Sequence, residues 1–108
     1  MRRACLLLFL ALLGSCCTLE LRWGLSIGVT GSDTGQPIPA MVVIRDGDYV
    51  EQLMTVGDRH VGAGERPGTY RIDIFADGYA TRTLTDIEVD EEGCHVEPRV
   101  IDVALSPL

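Results

Sequence analysis

Few side chains in this 108-residue chain are suited to chemistry: Cys5, Cys16, Cys17 and Cys94, the two histidines His60 and His95, and some short acidic runs. A hydrolase needs a nucleophile beside an oriented base. His60 and His95 are the only imidazoles, and no Gly-x-Ser-x-Gly is present to supply a serine. His95 beside Cys94 is placed to tune a thiol, although packing next to a disulfide is the simpler role for it. A zinc centre needs closely spaced ligands, and there is no Cys-x-x-Cys. Asp46-Gly47-Asp48 starts like a calcium loop, but Tyr49 and Val50 follow where the pattern requires more ligands, so a hairpin turn is the better reading. Asp90-Glu91-Glu92 reads as a solvated turn. The expectation is a chain that is not an enzyme, with no catalytic residue, metal ligand or cofactor.

The cysteines point instead to an address. Arg2 and Arg3 precede an apolar run from Ala4 to Leu13, too short for a stable membrane span. Leu13-Gly14-Ser15-Cys16 then resembles a bacterial lipobox, with a Leu, two small residues and the cysteine that takes lipid. That resemblance implies a lipoprotein signal peptide over 1–15, lipidation at Cys16, and a lipidated N-terminus and tether over 16–24. Ordinary signal cleavage is the alternative. With more than one acyl chain the anchor would be stable. Cys17 stands where an Asp commonly retains lipoproteins at the inner membrane, which implies the outer membrane, facing the periplasm. Cys5 leaves with the signal and Cys16 is modified, so Cys17 and Cys94 remain. Two thiols in an oxidising compartment point to a disulfide, against a free pair or a metal site. The bond would close a loop of roughly 77 residues and contribute on the order of 4 kcal/mol.

The formal charge is −7, from sixteen acids and nine basic residues, none of them lysine. Loss of Arg2 and Arg3 with the signal takes it to −9. Such a domain repels phosphates, which argues against any nucleic-acid partner. Solubility is the plain reading of the charge.

The elements that must carry these residues are strands. Leu19, Leu21, Trp23, Leu25, Ile27 and Val29 alternate with polar or small residues, and the strand proper is expected to begin near Trp23 or Leu25. Ala40 to Ile44 is apolar on both faces, Asp46-Gly47 marks a hairpin, and Tyr49 to Met54 returns as its partner. Thr55 to Gly64 is poorly legible: Gly57-Asp58-Arg59 reads as a loop and His60 to Ala63 as a short strand. Pro67-Gly68 then opens a strand with Tyr70, Ile72, Ile74 and Ala76 on one face, followed by an Asp77-Gly78 turn. Tyr79 sits at that corner, its hydroxyl expected to bond nearby backbone. Thr81 to Val89 is a strand with Thr83, Thr85, Ile87 and Val89 on one side. Val96 to Leu105 closes the domain with Ile101, Val103 and Leu105 inward, and Pro98 requires an edge or a bulge.

Gly68-Thr69-Tyr70, Gly78-Tyr79 and Thr34-Gly35-Gln36-Pro37-Ile38 together resemble the carboxypeptidase regulatory-like domain, a transthyretin-like fold. The resemblance covers roughly residues 25 to 105 and implies an all-β, seven-stranded Ig-like/prealbumin-like β-sandwich over 25–108. Some bacterial lipoproteins of this type keep a Cys before the first strand and a Cys-His-Val entering the last, which Cys94-His95-Val96 matches, and this adds to the Cys17–Cys94 pairing. The family's name implies no peptidase activity, since the zinc-binding catalytic domain is not in the sequence. The hydroxyisourate hydrolases are similar in fold only; their Tyr-Arg-Gly-Ser ending is not found here. The expected function is a non-catalytic, lipid-anchored cell-envelope module that binds an envelope protein, peptide or glycan. A purely structural envelope lipoprotein is the alternative, with a transthyretin-like hydrolase as a minor one.

Overall fold

The computed structural model describes residues 20–108. The expected signal over 1–15, the lipidation site Cys16 and the disulfide partner Cys17 lie outside the described residues. Those residues are all-β, with no helix among them. The strands are β1 (Trp23–Gly31), β2 (Met41–Asp46), β3 (Tyr49–Gln52), β4 (Met54–Val56), β5 (Arg59–Gly64), β6 (Gly68–Phe75), β7 (Arg82–Val89), β8 (Glu91–Glu92), β9 (His95–Val96) and β10 (Arg99–Leu105). Eight of them form two four-stranded sheets, ordered β10-β1-β5-β4 and β3-β2-β6-β7, while β8 and β9 pair as a separate hairpin. The seven strands expected from the sequence become ten among the described residues because two of the anticipated runs are divided and Glu91–Glu92, expected in a turn, forms a further strand.

The sheets pack face to face through the alternating residues that the period-two pattern selects. Leu25, Ile27 and Val29 from β1 meet Val42, Ile44, Tyr70, Ile72 and Ile74 from the opposite sheet, and all are buried. Val103 and Leu105 of β10 join them, with Ile101 partly buried against the same core. β1 runs parallel to β10 and antiparallel to β5, so both of its edges are paired. Two hairpins share one turn chemistry. Gly47-Asp48 joins β2 to β3 and Gly57-Asp58 joins β4 to β5, with φ of 59° and 63° at the two glycines. Glycine with positive φ at the first of two loop positions matches the twist of the flanking strands.

The chain changes sheet between β3 and β4. The single strand expected from Tyr49 to Met54 is cut at Leu53, whose amide donates to the Val42 carbonyl at 2.8 Å before Met54 moves to the other sheet. Leu53 is buried, and its Cδ2 occupies the space a Cβ on Gly62 would need. The poorly legible stretch after it is thus a hairpin of β4 and β5.

Other expectations are corrected in detail. β7 carries a bulge opposite Arg71, with Asp86 at φ 58°, so the register moves by one residue. Leu84, Ile87 and Val89 therefore point inward, and Thr83 and Thr85 do not share a face with Ile87 and Val89. Asp90-Glu91-Glu92 is not simply a turn, since Glu91 and Glu92 form β8. Pro98 lies between β9 and β10, outside both strands. Tyr70 makes the backbone contact expected of Tyr79: its hydroxyl donates to the Arg66 carbonyl at 2.7 Å. Tyr79 instead donates to the Asp33 carboxylate at 3.0 Å.

Substituting Gly62 by Ala displaces a packed core side chain, whereas Gly28→Ala meets only the ends of Arg59 and Asp102, which can swing into solvent. Gly62→Ala is expected to lower unfolding stability by about 1–3 kcal/mol and Gly28→Ala by less than about 1 kcal/mol, measured by denaturant titration. Equal losses would show that Leu53 does not depend on that gap.

Candidate functional site

The strand registers place the two histidines at opposite ends of the sandwich. Trp23 pairs with Gly64 at the end where the described chain enters, and Gly28 pairs with Arg59 towards the far end. His60 therefore lies roughly 15 Å along the strand direction from Glu65, the residue that holds His95. The structure does not bring His60 and His95 together.

At the entry end the organising side chain is Glu65. It follows β5 with φ of 48°, which turns its carboxylate back across neighbouring backbone. Oε2 accepts from the Arg22 amide at 3.0 Å and lies 2.6 Å from His95 Nδ1, while Oε1 accepts from the Val96 amide at 3.1 Å. The Glu65 amide donates to the Arg22 carbonyl at 2.9 Å, closing a reciprocal pair. The bond from His95, helped by the Arg22 and Val96 amides, holds the Glu65 carboxyl below its ordinary value against the opposing effect of desolvation. The result ties the start of β1 to the β8–β9 hairpin, whose Val96 is buried over that end of the core. Cys94 is exposed in the turn of this hairpin, at the end where the chain enters. No sequence pattern singled out Glu65; its partners are brought to it from 43 and 31 positions away.

Arg66, next in sequence, is held by a second group. Its guanidinium sits 3.7 Å from the Tyr49 ring centroid and bonds Asp46 and the Tyr70 hydroxyl, each at 3.0 Å. Tyr49 donates to Glu51 Oε1 at 2.7 Å, and that oxygen also accepts from the Ala63 amide at 3.1 Å. The bond to the Glu51 carboxylate pushes the Tyr49 phenol up to about 12. Asp46-Gly47-Asp48, considered as a calcium loop, is thus a hairpin turn whose first carboxylate pairs with Arg66. Among the described residues no group of three or more His, Cys, Asp or Glu side chains is arranged to hold a metal ion.

The far end is different. His60 is buried at the mouth of the core, with Nδ1 3.2 Å from Thr55 Oγ1 on β4. Burial, with Arg59 adding to it, holds the imidazole below its ordinary pKa, so it is neutral near pH 7. A cleft of about 400 Å³ opens there between the Pro37–Ala40 segment and the residues Thr55, Asp58 and His60. A second cleft of about 400 Å³ lies on the other side of Pro39 and Ala40, bounded by Met41, Phe75, Asp77 and Thr81. Met41 and Phe75 are paired across β2 and β6, and both are substantially exposed. A neutral histidine bonded to a threonine has the ingredients of a base and a nucleophile. What surrounds the pair is mostly proline, alanine and isoleucine side chains suited to holding an apolar group.

No protein-family model matches the chain, and no curated protein is significantly similar to it.

Two outcomes follow from the entry-end geometry and from the titrating groups. Replacing Glu65 with Ala removes the acceptors of the Arg22 and Val96 amides, so their hydrogen exchange is expected to accelerate by about tenfold or more while the far-end strands stay protected. Uniform acceleration would mean that the residue supports the whole fold, not this end.

Stability should also depend on pH in two ranges. The folded pKa of His60 is below 6.5, so the unfolded chain binds the extra proton first and stability falls as pH drops below about 6.5. Glu65 and Asp73 are depressed from 4.5 and 3.8, the latter chiefly by the Thr83 hydroxyl. Their contribution is complete above those values and is lost as pH falls through the lower folded ones. Thermal melts from pH 8 to 3 should show both declines, and His60→Asn should flatten only the first.

Proposed function

We propose that this chain is a non-catalytic, lipid-anchored module of the cell envelope that holds a protein or peptide partner at the far end of a prealbumin-like β-sandwich. One observation carries the reading: among the described residues, two clefts of about 400 Å³ lie at the end opposite to the one where the chain enters. A lipid on Cys16 would anchor the entry end. β1 alone spans nine residues, or roughly 30 Å, so the clefts would face away from the membrane. The exposure of Cys94 at the entry end supports its pairing with Cys17, which would fasten the β8–β9 hairpin to the tether. The resemblance to carboxypeptidase regulatory-like domains supports an accessory role without peptidase activity, and the outer membrane facing the periplasm is the compartment proposed.

The test is the intact mass of the protein extracted from bacterial membranes, with thiols alkylated before and after reduction. Expected are a chain starting at Cys16 with added acyl mass and two thiols that react only after reduction. Photocrosslinkers at Ala40 and Thr81 should then capture a stoichiometric envelope partner. An unlipidated chain cut elsewhere refutes the anchor. A lipidated chain with no crosslinked partner leaves the purely structural lipoprotein as the better account.

A further inference from the structure

The two far-end clefts share a wall and share a chemistry. Pro39 and Ala40 line both. Each has apolar sides: Pro37 and Ile38 in one, Met41 and Phe75 in the other. Each also has a single carboxylate at its edge, Asp58 in the first and Asp77 in the second. Neither is lined by an arginine, and the chain contains no lysine.

The carboxylates near them in the fold are occupied. Asp33 accepts from Tyr79, and Asp102 pairs with Arg59 at 2.8 Å. Arg59, just beyond Pro37, directs four N–H groups at Ser26, Asp102 and the Ile101 carbonyl, and no hydrogen bond or ion pair joins it to its neighbour Asp58. The Asp58 and Asp77 side chains have no hydrogen bond or ion pair among the described residues. Both are exposed.

We infer that the paired clefts bind a peptide segment carrying two basic side chains, with one aliphatic stem lying in each cleft and its charged head at Asp58 or Asp77. Lysine and arginine suit such a site because their stems bury against apolar surface while the head stays at the wet rim. An acidic or uncharged segment gains nothing from the two carboxylates, and a nucleic acid is repelled by them. The net charge of −7 adds attraction at longer range, which speeds encounter without choosing the site. The inference rests on the binding-module reading and gives its ligand a class.

The probe is a short peptide alternating lysine and valine, titrated against the full chain in neutral detergent. Matched peptides with glutamine or glutamate in place of lysine serve as comparisons. Amide shifts at Ala40, Gly57 and Thr81 report the clefts. The lysine peptide alone should shift them, and raising salt from about 0.1 M to about 1 M, where screening shortens to about 3 Å, should weaken it. Asp58→Asn and Asp77→Asn each keep a turn-compatible side chain, so folding should be unaffected. Each should weaken binding roughly threefold, and the double variant about tenfold.

Binding that ignores both variants, or shifts confined to other faces, would overturn the inference and reveal diffuse attraction to an acidic surface. Equal binding of the glutamine or glutamate peptide in the clefts would overturn the basic class but leave the module a binder. No binding by any peptide also overturns it; the membrane crosslinking experiment then decides separately whether a partner exists.

Discussion

The passage of the chain from one sheet to the other at Leu53 is the constraint on which the rest of the sandwich depends. β3 ends at one edge of its sheet, and two residues later β4 begins at an edge of the other. An apolar residue must turn inward there, and it needs a gap. Gly62 on β5 provides that gap. β5 is then fixed against β1 by register, and β1 against β10. This side of the sandwich is closed by the covalent chain. The opposite side is closed by arginines: Arg82 donates to the Ala104 carbonyl and Arg99 to the Glu88 carbonyl, each linking β7 to β10. Two sheet edges that would otherwise invite strand pairing are partly blocked in this way.

The same use of arginine recurs through the fold and explains how an acidic chain without lysine stays compact. Arg59 reaches two strands on the outer face of one sheet, where Gly28 leaves room for its guanidinium beside Asp102. Arg66 bonds a carboxylate and a hydroxyl while stacking on Tyr49. Arg71, with Arg45 more distant, faces the buried carboxylate of Asp73, which also accepts from Thr83 at 2.6 Å. A planar group with five donors can satisfy several acceptors at once; an ammonium on a flexible stem does so less well. The acids engaged in these contacts are structural, and the unpaired remainder is left on the surface.

How much of this was legible depended on how local the cause was. The alternation in β1 and β6 and the inward side of β10 follow from side-chain period and were readable. Of the β4–β5 hairpin, the turn at Gly57-Asp58 and a short strand over His60 to Ala63 were readable, but β4 and its pairing were not. Its strands are short, and its all-buried stretch His60 to Ala63 lacks alternation because β5 is covered on both faces. Yet Gly57-Asp58 repeats the Gly47-Asp48 pair that marks the first hairpin, and that repetition was a usable signal. The bulge in β7 hid the true inward set, since a positive φ at Asp86 leaves no mark in composition. Glu65 was invisible for a related reason: its role exists only once Arg22 and Val96 have been brought beside it. The far-end clefts belong to the same class, being made by segments from four separate parts of the chain.

The two ends of the sandwich use their polar groups differently. At the entry end Asp46, Glu51 and Glu65 are each held by specific partners, and a hairpin lies over the core. These bonds tie the start of β1 and the β8–β9 hairpin to the body of the sandwich. At the far end Met41 and Phe75 stand exposed beside the clefts, and Asp58 and Asp77 have no side-chain hydrogen bond or ion pair among the described residues. The two histidines stand at opposite ends, His95 bonded to Glu65 and His60 to Thr55, so they form no joint site. Under the proposed anchoring, the bonded end would be the base of the module and the end with the clefts its tip.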